Sequence, residues 1–308
     1  MKILVYGAGV QGSFLAHIFD EGGHDVKILA REKRAQQLRT SGVVIRHYFQ
    51  RKTTINKIEV ISKLNEDDFY DIVFVTMKYN DFQSVLPILS QNISENIVLV
   101  GNNVTASEMQ GYIKTHSTTK KNIVFGFQIS GGKRTEDKVV AIRFDNGEMK
   151  VGSLTGEIPF KAALEKAFEH TKYKLTFESN IDAWLKNHAA MIPAMIFATY
   201  IKDNNVKAVA QDNELLKEAV SSMSECYGIL ESLGYEMIPK KQANFVRKHK
   251  HITFWFLKIY HRLPMANFVA GGIGEVKMLC DDFYQMKKGL DLPTPNLDSL
   301  MRKAYEKM

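Results

Sequence analysis

The chain has 308 residues, 45% of them hydrophobic and 24% charged, and a formal net charge of +7. That composition is ordinary for a globular protein with room for two cores. So mild a charge, without a long Lys/Arg block, suits a binder of small anions better than a nucleic-acid protein, whose cations gather on one face.

The chain opens with KILVY (Lys2 to Tyr6), a short buried strand, followed by GAGVQG and a segment from Val10 to Glu21 with the period of a helix. This spacing of glycines after a strand and before a helix predicts a phosphate site. Gly7 turns the chain sharply and Gly9 leaves no side chain between backbone and pyrophosphate. Gly12 lets helix and strand approach, and Val10 and Gln11 open the helix whose free N–H groups face the anion. A second strand, DVKILA, ends at Arg31, and Glu32, Lys33 and Arg34 follow. An NAD site usually has Asp or Glu there, roughly 20 residues past the glycines, to take the ribose hydroxyls. A guanidinium at that strand end suits a 2′-phosphate, which points to NADP(H). The plainer reading of these charges is a solvated cluster at a helix start.

A helix through Gln37 and Leu38 comes next, then VVIRHY and TTINKIEVI, expected to form a small antiparallel insertion. DIVFVTM and NIVLV are further buried strands, and NIVFGFQ, KVVAIRF and EMKVG complete the strand-rich half. Strands separated by helices predict an α/β fold with a parallel doubly wound sheet, and the late strands an antiparallel extension. From about Ser179 the pattern is helical, with helices expected over 181–201, 213–233, 240–260 and 296–307. The expected domains are therefore 1–178, holding the nucleotide, and 179–308, an all-helical domain for substrate and dimerisation, with the active site in the cleft between.

In combination, GAGVQG, ILAREKRAQQLRTSGV, VFVTMKYND, VLVGNNV, AWLKN, GGIGEV and LPTPNLDSL resemble the ketopantoate reductase (2-dehydropantoate 2-reductase) family, nearly end to end. The resemblance implies a Rossmann-type domain joined to a helical domain, and reduction of a 2-keto acid to the 2-hydroxy acid by NADPH. Lys78, just past a strand's carboxyl end, is then expected on the cofactor side of the cleft. Asn102 would hold ribose or the substrate carboxylate. Where the family usually has His-Asn-Gly, this chain has Gly101-Asn102-Asn103. Hydride addition to a ketone creates an alkoxide that needs a proton and a positive field. The family segment matching AWLKN makes Lys186 the general acid. The one matching GGIGEV makes Glu275 the group that orients Lys186 or the substrate hydroxyl.

The chain also departs from the family. The asparagines expected four and eight residues beyond Lys186 are Ala190 and Ala194, and the substrate-binding serine has no counterpart in RLPMANF, where Asn267 is the nearest amide. This pocket is expected to be more apolar than the family's, with its substrate changed. Two other readings stay open: a non-enzymatic NADP(H)-binding redox sensor, and an opine or hydroxy-acid dehydrogenase of related architecture.

VRKHKHITFWFLKIYHR mixes cations and aromatics, and at helical spacing Phe245, Ile252, Trp255 and Ile259 are expected to form an inward apolar stripe under a solvated basic face. Neither nucleic acid nor membrane is expected as a partner. No apolar run approaches the roughly 18 residues of a membrane helix. Cys226 and Cys280 lack ligand-like spacing, and His249 and His251 point apart on a helix, so no metal is expected. A strand beginning at residue 2 leaves no room for a signal peptide, and a cytoplasmic setting is expected.

Overall fold

The structure, a computed structural model, describes residues 1–268 and 272–307. Its contacts divide into two units: residues 1–101 with 105–181, and residues 102–104 with 182–308.

In the first unit, β1 (Lys2–Tyr6), α1 (Val10–Glu21), β2 (Asp25–Leu29) and α2 (Glu32–Ser41) lead into β3 (Val43–His47), β4 (Lys52–Asn56) and β5 (Glu59–Ile61). Then come β6 (Ile72–Thr76), α3 (Leu86–Gln91), β7 (Asn96–Val100), α4 (Ala106–His116) and β8 (Asn122–Gln128). The unit closes with β9 (Gly131–Arg134), β10 (Val139–Ile142), β11 (Glu148–Gly152), α5 (Lys161–Phe168) and β12 (Lys174–Phe177). Eight strands form one sheet in the order β12-β11-β8-β7-β6-β1-β2-β5. All neighbours are parallel except β8 and β11, so the doubly wound sheet carries one antiparallel junction at its late strands. Chain order reverses at β1, which has β2 on one side and β6 on the other, the switch point at which open sheets bind ligands.

The insertion is larger than adjacency in the chain suggests. β3 and β4 pair antiparallel, but β10 and β9 join them in a four-stranded sheet, while β5 leaves to pair with β2. α1 packs against strands of both sheets, so Gly12 through Phe19 are all buried. Its polar members find local partners. Ser13 donates to the Ala8 carbonyl, and His17 meets the Asn56 side chain at 2.7 Å. His47 is buried beside the Arg143 guanidinium at 3.1 Å; burial first, and that charge second, hold its imidazole down at about 3.

The second unit contains α6 (Ile181–Ala189), α7 (Ile192–Ile201), α8 (Val206–Gln211), α9 (Asn213–Ser232), α10 (Lys240–Lys248), α11 (Lys250–Tyr260), α12 (Ile273–Lys287) and α13 (Pro295–Tyr305). Two helices expected to be continuous are broken. Pro193, which has no N–H to give to a preceding turn, sits in the first turn of α7 and separates it from α6. At His249 the backbone leaves the helical region (φ −120°, ψ 49°), separating α10 from α11.

The apolar stripe expected to face inward faces out. Thr253, Phe254 and Leu257 are buried on α11, whereas Ile252, Trp255, Phe256 and Ile259 are exposed, as is Phe245 on α10. Helical spacing fits either set, because α11 is apolar on two faces; packing onto α9 takes the face one residue further round.

Candidate active site

The first unit builds its groove from the loops at the carboxyl ends of β1, β2 and β6. Gly7 (φ +112°) adopts a backbone that side chains avoid, and a Cβ there would lie 2.5 Å from the Thr76 carbonyl oxygen. A Cβ on Gly12 would collide with the Gly7 carbonyl and the Thr76 hydroxyl, so this glycine lets α1 start against β1 and β6. Gly9 differs: its φ is −73°, and a Cβ there would meet no atom within 4 Å. Among the described residues no side chain caps α1, which leaves its first N–H groups open to a ligand.

The groove encloses about 710 Å³ and is lined by Gly7, Gly9, Arg31 and Lys78 of the expected residues. Lys33, Arg34, Lys63 and Arg134 bring its cations to six, against the acids Glu32 and Asp81. Val10, Gln11 and Gly12 are absent from the lining. The Gln11 amide is tied to Ser130, donating to its carbonyl at 2.6 Å and accepting from its hydroxyl at 2.7 Å, so only the backbone of Gln11 is available to a ligand.

The cations divide by task. Arg34 donates to the Ala8 carbonyl at 3.0 Å and the Ser13 hydroxyl at 2.8 Å, bracing the glycine turn from beneath. Burial, and then the like charge of Arg134, push its guanidinium down to about 10. Arg31, at the end of β2, and Lys78, past β6, are exposed. Six cations gathered at one concave site, against two acids, give the groove a positive field.

The second unit assembles a different cluster. Lys186 on α6 is buried, and its ammonium donates to the Asp182 carboxylate one turn earlier and lies 4.8 Å from the centre of the Tyr235 ring. Asn102 donates from Nδ2 to Glu275 Oε1 at 3.0 Å, while its buried Oδ1 has no hydrogen-bond partner among the described residues. The structure thus pairs Lys186 with Asp182 and Glu275 with Asn102. Asn267 is exposed and donates to the Pro264 carbonyl within its own turn at 3.1 Å. Gly271 of the GGIGEV motif lies outside the described residues.

Ala190 and Ala194 are buried, the first in the turn between α6 and α7 and the second on α7. Asn187, also buried, donates to the carbonyls of Ala183 at 2.7 Å and Glu236 at 2.8 Å, which ties α6 to the segment before α10. Sequence reasoning missed Asp182, although a carboxylate four residues before a lysine on a helix is a readable pair. Tyr235 and Arg134 carried no such signal, since each is brought in by tertiary packing.

The profile of a family described as ketopantoate reductase PanE/ApbA matches residues 3–156. An uncharacterized oxidoreductase of Bacillus subtilis (strain 168), YkpB, is 32% identical over 100 residues, spanning 32% of this chain and 32% of that protein. Among solved structures, the PanE/ApbA family ketopantoate reductase from Ralstonia eutropha JMP134 superposes with a TM-score of 0.77 at 15% identity, over 100% of this chain and 98% of that one. D-mandelate dehydrogenase, solved with NADH and anilino(oxo)acetate, gives 0.76 at 16% identity over 100% and 98%. A dimeric ketopantoate reductase from Staphylococcus aureus gives 0.71 at 13% identity over the full length of both chains. At these identities the structural likenesses establish the fold.

Proposed function

The chain belongs to the ketopantoate reductase PanE/ApbA family, and on that premise we propose that it reduces a 2-keto acid to the 2-hydroxy acid with NADPH. The observation that carries the cofactor assignment is the groove itself: a glycine turn with open space only at Gly9, opposite a strand end where Arg31 comes first and Glu32 follows it among six lining cations. The residues fit the group. The α1 N–H groups and Gly9 would take the pyrophosphate, Arg31 the 2′-phosphate, and Lys78 a further phosphate or ribose oxygen. NADPH supplies the hydride.

Lys186 would donate the proton to the carbonyl oxygen as charge develops there, and its ammonium would stabilise that charge beforehand. Asp182 and the Tyr235 ring hold the ammonium in one orientation, a positioning role. Glu275 fixes the Asn102 amide, leaving Asn102 Oδ1 as an unused acceptor suited to a ligand hydroxyl. With alanine at positions 190 and 194, both buried, the substrate is proposed to carry an apolar side chain instead of the ketopantoate hydroxyl. We place the enzyme in the cytosol, where Cys226 and Cys280, both buried and free, stay reduced, and expect a homodimer.

A panel of 2-keto acids with NADPH tests the proposal by loss of NADPH absorbance. The expected result is turnover of at least one member, abolished in Lys186→Ala while NADPH still binds. NADPH binding without turnover of any carbonyl compound would instead favour a non-enzymatic redox sensor.

A further inference from the structure

From Met237 to Gly274 the chain contains no Asp or Glu, and it carries seven Lys/Arg there. Within this stretch α11 buries one apolar face and exposes another: Ile252 is 51% exposed, Trp255 46%, Phe256 64% and Ile259 56%. Their spacing (i, i+3, i+4, i+7) draws one stripe along the helix. Leu263, just past the helix, is exposed as well. Among the described residues, Lys248, Lys250 and Arg262 are exposed and outside every ion pair. Of the acids on α9, against which α11 packs, Glu214 pairs with Lys217, Glu218 with Lys303 and Glu225 with the start of α13, while Glu231 takes Arg247, one of the seven. Among the described residues, none of these acids pairs with Lys248, Lys250 or Arg262.

We propose that α11 is an interfacial anchor that seats the protein on the surface of an anionic phospholipid bilayer. The apolar stripe would enter the headgroup boundary, and Lys248, Lys250 and Arg262 would meet lipid phosphates. Three observations favour lipid over the alternatives. An isologous pairing with a second copy would set the same cations against each other without a counter-charge. A protein partner's interface core is depleted in lysine, whereas here Lys258 lies 5.3 Å from the centre of the Trp255 ring. Trp255 has a polar handle, its Nε1 donating to His251 Nε2 at 3.1 Å, and an amphipathic indole flanked by Phe, Ile and cations is the composition of a helix lying in an interface. No helix among the described residues is long and apolar enough to cross a membrane, so the contact is peripheral.

The whole protein with phosphatidylcholine vesicles, with and without phosphatidylglycerol, tests this. The chain has two tryptophans, and Trp184 is buried, so an emission shift reports Trp255. The expected result is co-sedimentation and a blue shift with phosphatidylglycerol vesicles alone, reversed by salt. Phe256→Ser/Ile259→Ser should weaken it about tenfold or more while leaving the fold and NADPH binding intact, since both side chains face solvent. No binding to phosphatidylglycerol vesicles overturns the proposal. So does a solution dimer that this double variant dissociates, which would give the face to a second copy. A protein ligand that competes off the vesicles and requires the same stripe would also overturn it.

Discussion

Two alanine substitutions in one glycine turn separate folding from cofactor binding. In Gly12→Ala the new Cβ falls well inside contact distance of the Gly7 carbonyl and the Thr76 hydroxyl, both held by the sheet. α1 would have to lift off β1 and β6, at a cost of about 1–3 kcal/mol or more, seen as a melting temperature lower by several degrees. In Gly9→Ala the Cβ meets no atom within 4 Å at φ −73°, so folding should change by no more than about 0.5 kcal/mol. On the proposed assignment the same methyl would occupy the space through which backbone approaches pyrophosphate. Displacing the phosphate from one charge-assisted N–H bond costs about 1.5–3 kcal/mol, which is roughly a ten- to 150-fold weaker NADPH affinity. Thermal melting with and without NADPH, together with a fluorescence titration of NADPH, reads both quantities. A well-folded Gly9→Ala protein that binds NADPH as tightly as the native chain would refute the assignment of the pyrophosphate to this turn.

Asp182→Asn should lower kcat about ten- to hundredfold by freeing the Lys186 ammonium from its orientation, with NADPH affinity unchanged and partial rescue by Asp182→Glu; equal losses in both parameters would mean a structural role only. His47 titrates near its ordinary 6.5 when unfolded but at about 3 in the fold, mainly because it is buried and then because Arg143 adjoins it, with His17, Lys52 and Arg46 adding like charge. As pH falls from 6.5 toward 3 the unfolded chain takes up a proton the fold refuses. Stability should therefore drop with a limiting slope of about 1.4 kcal/mol per pH unit for this group. Urea midpoints across that range should show the drop, and His47→Asn should flatten it; an unchanged slope would contradict the burial argument.

The strand–glycine–helix opening was legible because its signal is local, three glycines at fixed spacing between a strand and a helix, although the Thr76 contacts that demand Gly7 and Gly12 come from β6. The parallel sheet was legible for a similar reason, since DIVFVTM and NIVLV each hold four consecutive apolar residues, Ile72 to Val75 and Ile97 to Val100. What stayed hidden is non-local. β9, Gly-Gly-Lys-Arg, has no strand-like composition and exists through its pairing with β10. Arg34 reads as one more cation beside Arg31, yet it braces the turn from behind. The outward stripe on α11 was misassigned because periodicity locates an apolar face without saying whether it is covered. Lys186, Glu275 and Asn102 stand out through their motifs, whereas Asp182 emerges from the helix register and the pairing of Asn102 with Glu275 from packing.

Calorimetric titration of the purified protein with NADPH and with NADH tests the central claim most directly. Arg31 at the end of β2 predicts binding of both, with NADPH tighter by about tenfold or more through the guanidinium–phosphate pair, and Arg31→Ala should erase that preference alone. Absence of heat from either coenzyme at millimolar concentration would contradict the account at its root.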